Sequence, residues 1–176
     1  MAFEWVWGVI APPPSPWPSS DATAGPARWG VFPRSRPAGV VFRPNMLHHV
    51  ELYVRDLERS IAFWTPFMGL LGYEEERWSG GVNYVAGEQD PYVTLVQAPS
   101  EHLAAGYHRR RVGLNHLAFR ARSRAHVDEV RSWVREAGFP LLYDDRFPFA
   151  TAPGYYAVFC EDPDRIKLEV VAPSED

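Results

Sequence analysis

The sequence predicts an α+β fold built from two strand–helix–strand–strand–strand units. Three observations carry this expectation. Each unit opens with alternating apolar and polar residues, continues into a capped amphipathic helix, and ends in three short β-rich runs set apart by turn residues. The spacing also repeats: His49 stands seven residues before the cap residue Asp56, and His116 stands seven before Ser123. The modules are expected at 46–99 and 113–173, within one domain at 46–173.

In the first unit, residues 47–54 place Val50, Leu52 and Val54 on one face and His49, Glu51 and Tyr53 on the other. That is the pattern of a half-buried strand. Asp56 is the expected N-cap of a helix that aligns Leu57, Ile61, Trp64 and Met68. Pro66 lies inside this helix and is expected to kink or shorten it, because proline removes a donor and crowds the preceding turn. Gly69 and Gly72 mark the helix end. Strands are predicted at 73–78, 82–86 and 92–97, with Ser79-Gly80-Gly81 and residues 87–91 as turns.

A polar link at 99–111 leads into the second unit. Residues 114–120 read as a strand, Ser123 as a cap, and Val127, Val130, Val134 and Ala137 as the buried face of a helix ended by Gly138. Strands are predicted near 140–143, 155–160 and 166–171.

Residues 1–45 belong to a different compositional regime, with nine of the 17 prolines and four of the seven tryptophans. Proline withdraws backbone donors, so this stretch cannot build a helix or central strand over most of its length. It is expected to be a disordered or loosely docked extension, or a gene-model artefact upstream of a start at Met46. Its tryptophans speak against pure disorder. The formal net charge of −4 offers no basic footprint for nucleic acid. No apolar run reaches the roughly 20 residues of a membrane helix. One cysteine, Cys160, rules out an internal disulfide and a Cys-rich zinc site, and fits a reducing cytoplasm.

Three segments are more specific: LHHVELYVRDLERSIAFW at the start, NHLAFRA in the middle and GYYAVFCEDPDRIKLEVV at the end. Together they resemble the glyoxalase / bleomycin-resistance / extradiol-dioxygenase (vicinal oxygen chelate) superfamily over residues 46–173. The resemblance implies paired βαβββ modules forming an open, barrel-like cavity, and a homodimer in which a partner's module sometimes completes the barrel. It also implies four ligand positions on the first and last strands of the modules, here His49, Thr94, His116 and Glu169. Thr94 departs from the four-ligand glyoxalase I pattern, which needs a carboxylate there. Two histidines and one carboxylate remain, a set that suits Fe, Mn, Ni or Zn and leaves positions open for a chelating substrate. Strand alternation puts each of the three on the face opposite its apolar row. A second departure is Arg165, where such sequences usually carry glycine; a left-handed turn there costs about 1 kcal/mol for a non-glycine residue.

The same resemblance discriminates between chemistries. Ring-cleaving members usually carry tyrosine ten residues before the carboxylate, and this chain has Phe159. The phosphonate-binding lysine and serine of fosfomycin-modifying members are not evident; the only lysine, Lys167, shares the Glu169 face, where a salt bridge is the plainer expectation. Glu51 is the candidate general base, with pairing to an arginine the plainer alternative. Tyr53, Thr94 and Tyr155 are candidate substrate-binding residues. His102, His108 and His126 read as surface residues, and His48 as packed or exposed. The expected function is a metal-dependent enzyme acting on a small substrate with vicinal oxygens, of lyase, isomerase or dioxygenase type. The alternative is a metal-free protein that sequesters an antibiotic or aromatic natural product.

Overall fold

The computed structural model describes residues 47–88 and 90–174. The expectations for the Pro/Trp-rich extension at 1–45 and for Met46 as a start lie outside the described residues. Both expected modules are present. The first comprises β1 (His49–Val54), α1 (Leu57–Leu70), β2 (Glu74–Trp78), β3 (Gly81–Val85) and β4 (Tyr92–Gln97). The second comprises β5 (His116–Arg120), α2 (Arg124–Glu136), β6 (Leu141–Leu142), β7 (Ala157–Glu161) and β8 (Lys167–Val171). A 3-10 turn at Ser100–Ala105 lies in the link, and another at Asp144–Arg146 precedes β7.

The two sheets share one topology, with strand orders β1-β4-β3-β2 and β5-β8-β7-β6. In each, the first strand pairs in parallel with the last, and the remaining pairs are antiparallel. The helices start as their sequences dictate. The Arg59 amide donates to Asp56 Oδ1 at 3.0 Å, and the His126 amide donates to Ser123 Oγ at 3.2 Å. They also end alike. Gly72 and Gly138 take φ values of 88° and 75°, and the amides of Tyr73 and Phe139 reach back to the carbonyls of Met68 and Val134. A Cβ would strain both glycines, which is why glycine closes each helix.

Both helical sides contribute to one apolar core. Phe63 of α1 meets Phe139 edge-on at 4.6 Å, and Phe67 meets Phe119 of β5 at 5.9 Å. The module junction also holds polar contacts. The buried Trp64 indole N–H donates to Asp162 Oδ2 at 3.0 Å, and burial pushes the Asp162 carboxyl up to about 6. Asp162 Oδ1 accepts the amides of Asp164 and Ile166 at 2.9 and 2.7 Å, which fixes the turn between β7 and β8. Within that turn Arg165 adopts φ 67°, so the left-handed conformation is kept without glycine. Two amide bonds to one carboxylate oxygen hold a conformation that Arg165 alone would disfavour.

Three expectations need correction. Pro66 does not shorten α1, which runs through it to Leu70 with Phe63, Phe67 and Met68 buried on either side. Burial of those side chains outweighs one lost backbone bond. Ala137 is exposed at the α2 terminus rather than buried. His126 is not a surface residue: it is 3% exposed, accepts the Arg122 amide at Nδ1 and, through Nε2, binds the Leu70 carbonyl at 2.8 Å. It satisfies an end carbonyl of α1 from the other module, a contact between distant segments that periodicity does not encode.

Candidate metal centre

Strand alternation sends one row of β1 into the core and the other outward. Leu52 and Val54 are buried, while His49, Glu51 and Tyr53 are exposed. The second sheet repeats this division. Phe119, Leu168 and Val170 enter the core, and His116, Ala118 and Glu169 share the opposite face. All three expected ligands therefore lie on faces turned away from the helices.

Two of them meet. His116 Nε2 lies 3.0 Å from Glu169 Oε2. The carboxylate is 4% exposed, and its other oxygen accepts the Tyr155 hydroxyl at 2.5 Å. That hydrogen bond, with burial added, pushes the Tyr155 phenol up to about 12, so it remains a donor. The imidazole is held from behind as well. Asn115 Nδ2 donates to the Arg109 carbonyl at 3.0 Å, which turns its Oδ1 toward His116 Nδ1 at 2.7 Å. An amide oxygen only accepts, so Nδ1 carries a proton toward Asn115; Nε2 faces Glu169, an acceptor as well, so that a proton or a cation fits between Nε2 and the carboxylate. A buried carboxylate oxygen beside an oriented imidazole nitrogen is a donor pair suited to a borderline divalent ion.

His49 is placed elsewhere. Its ring stacks on Tyr92 at 5.0 Å with an 11° interplanar angle, and its Nδ1 lies 2.8 Å from His48 Nδ1. Its Nε2 has no hydrogen-bond partner among the described residues. A cavity of about 720 Å³ opens beside it, lined by His48, Tyr92, Glu74 and Glu76 among others. Within one chain, then, the three residues do not converge, and no group of three His, Cys, Asp or Glu side chains close enough to hold an ion occurs among the described residues.

The remaining candidates distribute as follows. Glu51 pairs in register with Thr94, and Thr94 Oγ1 donates to Asn83 Oδ1 at 2.9 Å. Glu51 has no arginine partner among the described residues, contrary to the plainer expectation. Tyr53 is 60% exposed and lines a cavity of about 750 Å³ with Arg55, Arg59, His102 and Tyr107. Sequence reasoning offered Tyr92 only as one of several aromatics able to line a cavity, and missed Asn115 and the stacking of Tyr92 on His49. The only local signal for Asn115 is its adjacency to His116 in NHLAFR. Tyr92 stands opposite His49 in the β1–β4 register, a long-range pairing no motif announces. No helix among the described residues is long and apolar enough to cross a membrane.

Comparison with known proteins gives a consistent picture. Residues 46–170 match the sequence profile of the Glyoxalase/Bleomycin resistance protein/Dioxygenase superfamily. The chain is 52% identical over 129 residues to YqjT of Bacillus subtilis (strain 168), covering 73% of this chain and 99% of that protein. It is 53% identical to a glyoxalase-like protein from Bacillus halodurans of known crystal structure, with a TM-score of 0.70, covering 74% of this chain and 97% of the other. Lactoylglutathione lyase from Agrobacterium tumefaciens shares the fold at 24% identity and a TM-score of 0.51, over 74% of this chain and 96% of its own. With the doubled βαβββ topology and the matched profile over most of its length, the chain belongs to the glyoxalase/bleomycin resistance protein/dioxygenase superfamily.

Proposed function

We propose that the protein is a metal-dependent enzyme acting on a small substrate with vicinal oxygens, and that its centre is shared between two copies of the chain. His116 and Glu169 of one copy supply two ligands and His49 of the other supplies the third. The observation that carries this reading is the oriented His116–Glu169 pair, 3.0 Å apart, with Asn115 and Tyr155 fixing its two members. The separate, outward placement of His49 supports the sharing, since ligands that cannot meet within a chain can meet across a two-fold axis.

The donor set fits Fe, Mn, Ni or Zn, and such an ion supplies Lewis acidity that stabilises negative charge developing on a substrate oxygen. The chain's own residues do the rest. Glu51, a carboxylate without an ion-pair partner among the described residues, is the candidate base for a substrate proton. Thr94, Tyr53 and Tyr155 present hydroxyls on the same faces and orient the substrate. The class of reaction is lyase, isomerase or dioxygenase.

One observation favours a second reading, a metal-free binding protein. Glu169 already accepts one hydrogen bond and faces His116, so it has a structural role without an ion. A single experiment separates the readings. His49→Ala and His116→Ala proteins are prepared singly, mixed, and assayed for bound metal. Each alone should bind little, whereas the mixture should regain about a quarter of the wild-type sites, because half the dimers are mixed and each holds one intact centre. No recovery would place the ligands within one chain. Full uptake by both single variants, or none by the wild type after loading, would support the binding protein.

A further inference from the structure

The only lysine of the chain, Lys167, stands on the face that carries the candidate ligands. It is opposite His116 in the β5–β8 register and two residues from Glu169. A salt bridge was the expectation for it, and among the described residues it makes none. The nearest register carboxylate, Glu161, is already engaged: Arg109 binds one of its oxygens and Arg165 Nε approaches the other at 3.4 Å. Instead the ammonium lies 5.0 Å from the centroid of Phe159 and 5.7 Å from that of Tyr143.

Aromatic faces attract and hold a cation without neutralising it. The box is also built at a cost. Tyr143 adopts φ 59°, a conformation disfavoured for a residue with a Cβ, and its ring meets Phe159 edge-on at 5.6 Å. A strained aromatic, a buried aromatic and a half-buried cation with no salt bridge among the described residues thus meet on the sheet face that carries Glu169.

We propose that Lys167 receives an oxyanion group of the substrate, a carboxylate, phosphate or phosphonate, so that the molecule taken by this centre is a small anion with chelating oxygens at its other end. The inference rests on the metal-site reading for the position of the chelating end, and on Lys167 alone for the charge. Phe159 and Tyr143 act as positioning residues that keep the ammonium oriented toward the open face.

The test uses two probes with the same vicinal-oxygen chelating end. Acetohydroxamate carries no further charge, and succinic acid monohydroxamate adds a carboxylate. For the nickel-loaded protein the carboxylate-bearing probe should bind about ten-fold more tightly, the size expected for one charge-assisted contact. Lys167→Gln should erase that preference, Lys167→Arg should keep most of it, and nickel uptake should be the same in all three proteins. Equal affinity for the two probes, or a preference that survives in Lys167→Gln, would overturn the proposal.

A second readout separates this outcome from failure of the metal reading. Lysine labelled with ¹³C at Cε gives one internal signal, because the chain has no other lysine. Titrating the metal-free protein with inorganic phosphate should shift that signal saturably, and the shift should be absent when Tyr143→Ala and Phe159→Ala are combined. Absence of nickel uptake by the wild type would overturn the shared metal centre. A linear, non-saturating phosphate response would overturn the role of Lys167.

Discussion

The two modules are copies in topology and opposites in what their outer faces carry. The rungs of the parallel pairs show it best. In the first module His49 stands opposite Tyr92 and Glu51 opposite Thr94; in the second His116 stands opposite Lys167 and Ala118 opposite Glu169. Each module has one histidine and one carboxylate at equivalent rungs, but the carboxylate has moved from the last strand to the first. In the second module it lies beside its histidine, buried and fixed by Tyr155. In the first it is exposed, with no ion-pair partner among the described residues, and the histidine stacks on Tyr92. A repeated fold can therefore divide labour. On the proposed reading, one half holds a preorganised donor pair, and the other offers a single ligand and a carboxylate free to move a proton.

That division can be broken most severely at Glu169. Glu169→Ala removes one proposed ligand and leaves His116 and Tyr155 without their shared partner. Metal affinity should fall by at least about 100-fold, and thermal stability should drop with it, as expected when buried hydrogen-bonding groups lose their partner. His49→Ala should lower metal affinity while leaving the melting temperature nearly unchanged, because the ring is exposed. Calorimetric metal titration beside thermal melts measures both. Equal melting temperatures for the two variants would mean that the modules do not differ in preorganisation.

A smaller effect concerns the exposed carboxylate. Glu51→Gln should leave metal content unchanged and lower kcat about 100-fold, at the lower end of what a general base contributes. An unaltered kcat would assign the proton transfer to another group.

Much of this architecture was legible in the chain itself, and the reason is local. Period-two alternation, Asp56 and Ser123 as caps, and Gly72 and Gly138 as stops each act over a few residues. They placed both modules and gave the correct outward face for His49, His116 and Glu169. What alternation cannot say is which strands pair and in what register. It therefore did not reveal that His116 meets Glu169 across the β5–β8 pair while His49 stacks on Tyr92 across the β1–β4 pair. His126 was misread for the same reason: its partner, the Leu70 carbonyl, is 56 residues away on the other module's helix. Pro66 was misjudged because a local rule about donors carries no information on how much buried aromatic surface surrounds it.

The finest test of the comparison lies at Asn115. The first module has the imidazole of His48 against His49 Nδ1, an exposed contact in which either ring can donate. The second has an amide whose orientation is set by the Arg109 carbonyl, so that the proton on His116 is assigned and Nε2 is left for a ligand. Replacing Asn115 by Leu keeps the bulk but removes the acceptor, and the ring can then place its proton on either nitrogen. Metal affinity should fall about ten-fold, the lower end of what loss of an outer hydrogen bond to a ligand produces. The melting temperature should change little, since Asn115 is exposed. Nitrogen-15 spectra of the histidine rings should show the Nδ1-protonated form of His116 giving way to a mixture. His48→Leu, the matching change in the first module, should alter affinity by less. If it matched or exceeded the effect of Asn115→Leu, the preorganised half of the centre would have to be assigned to the first module instead.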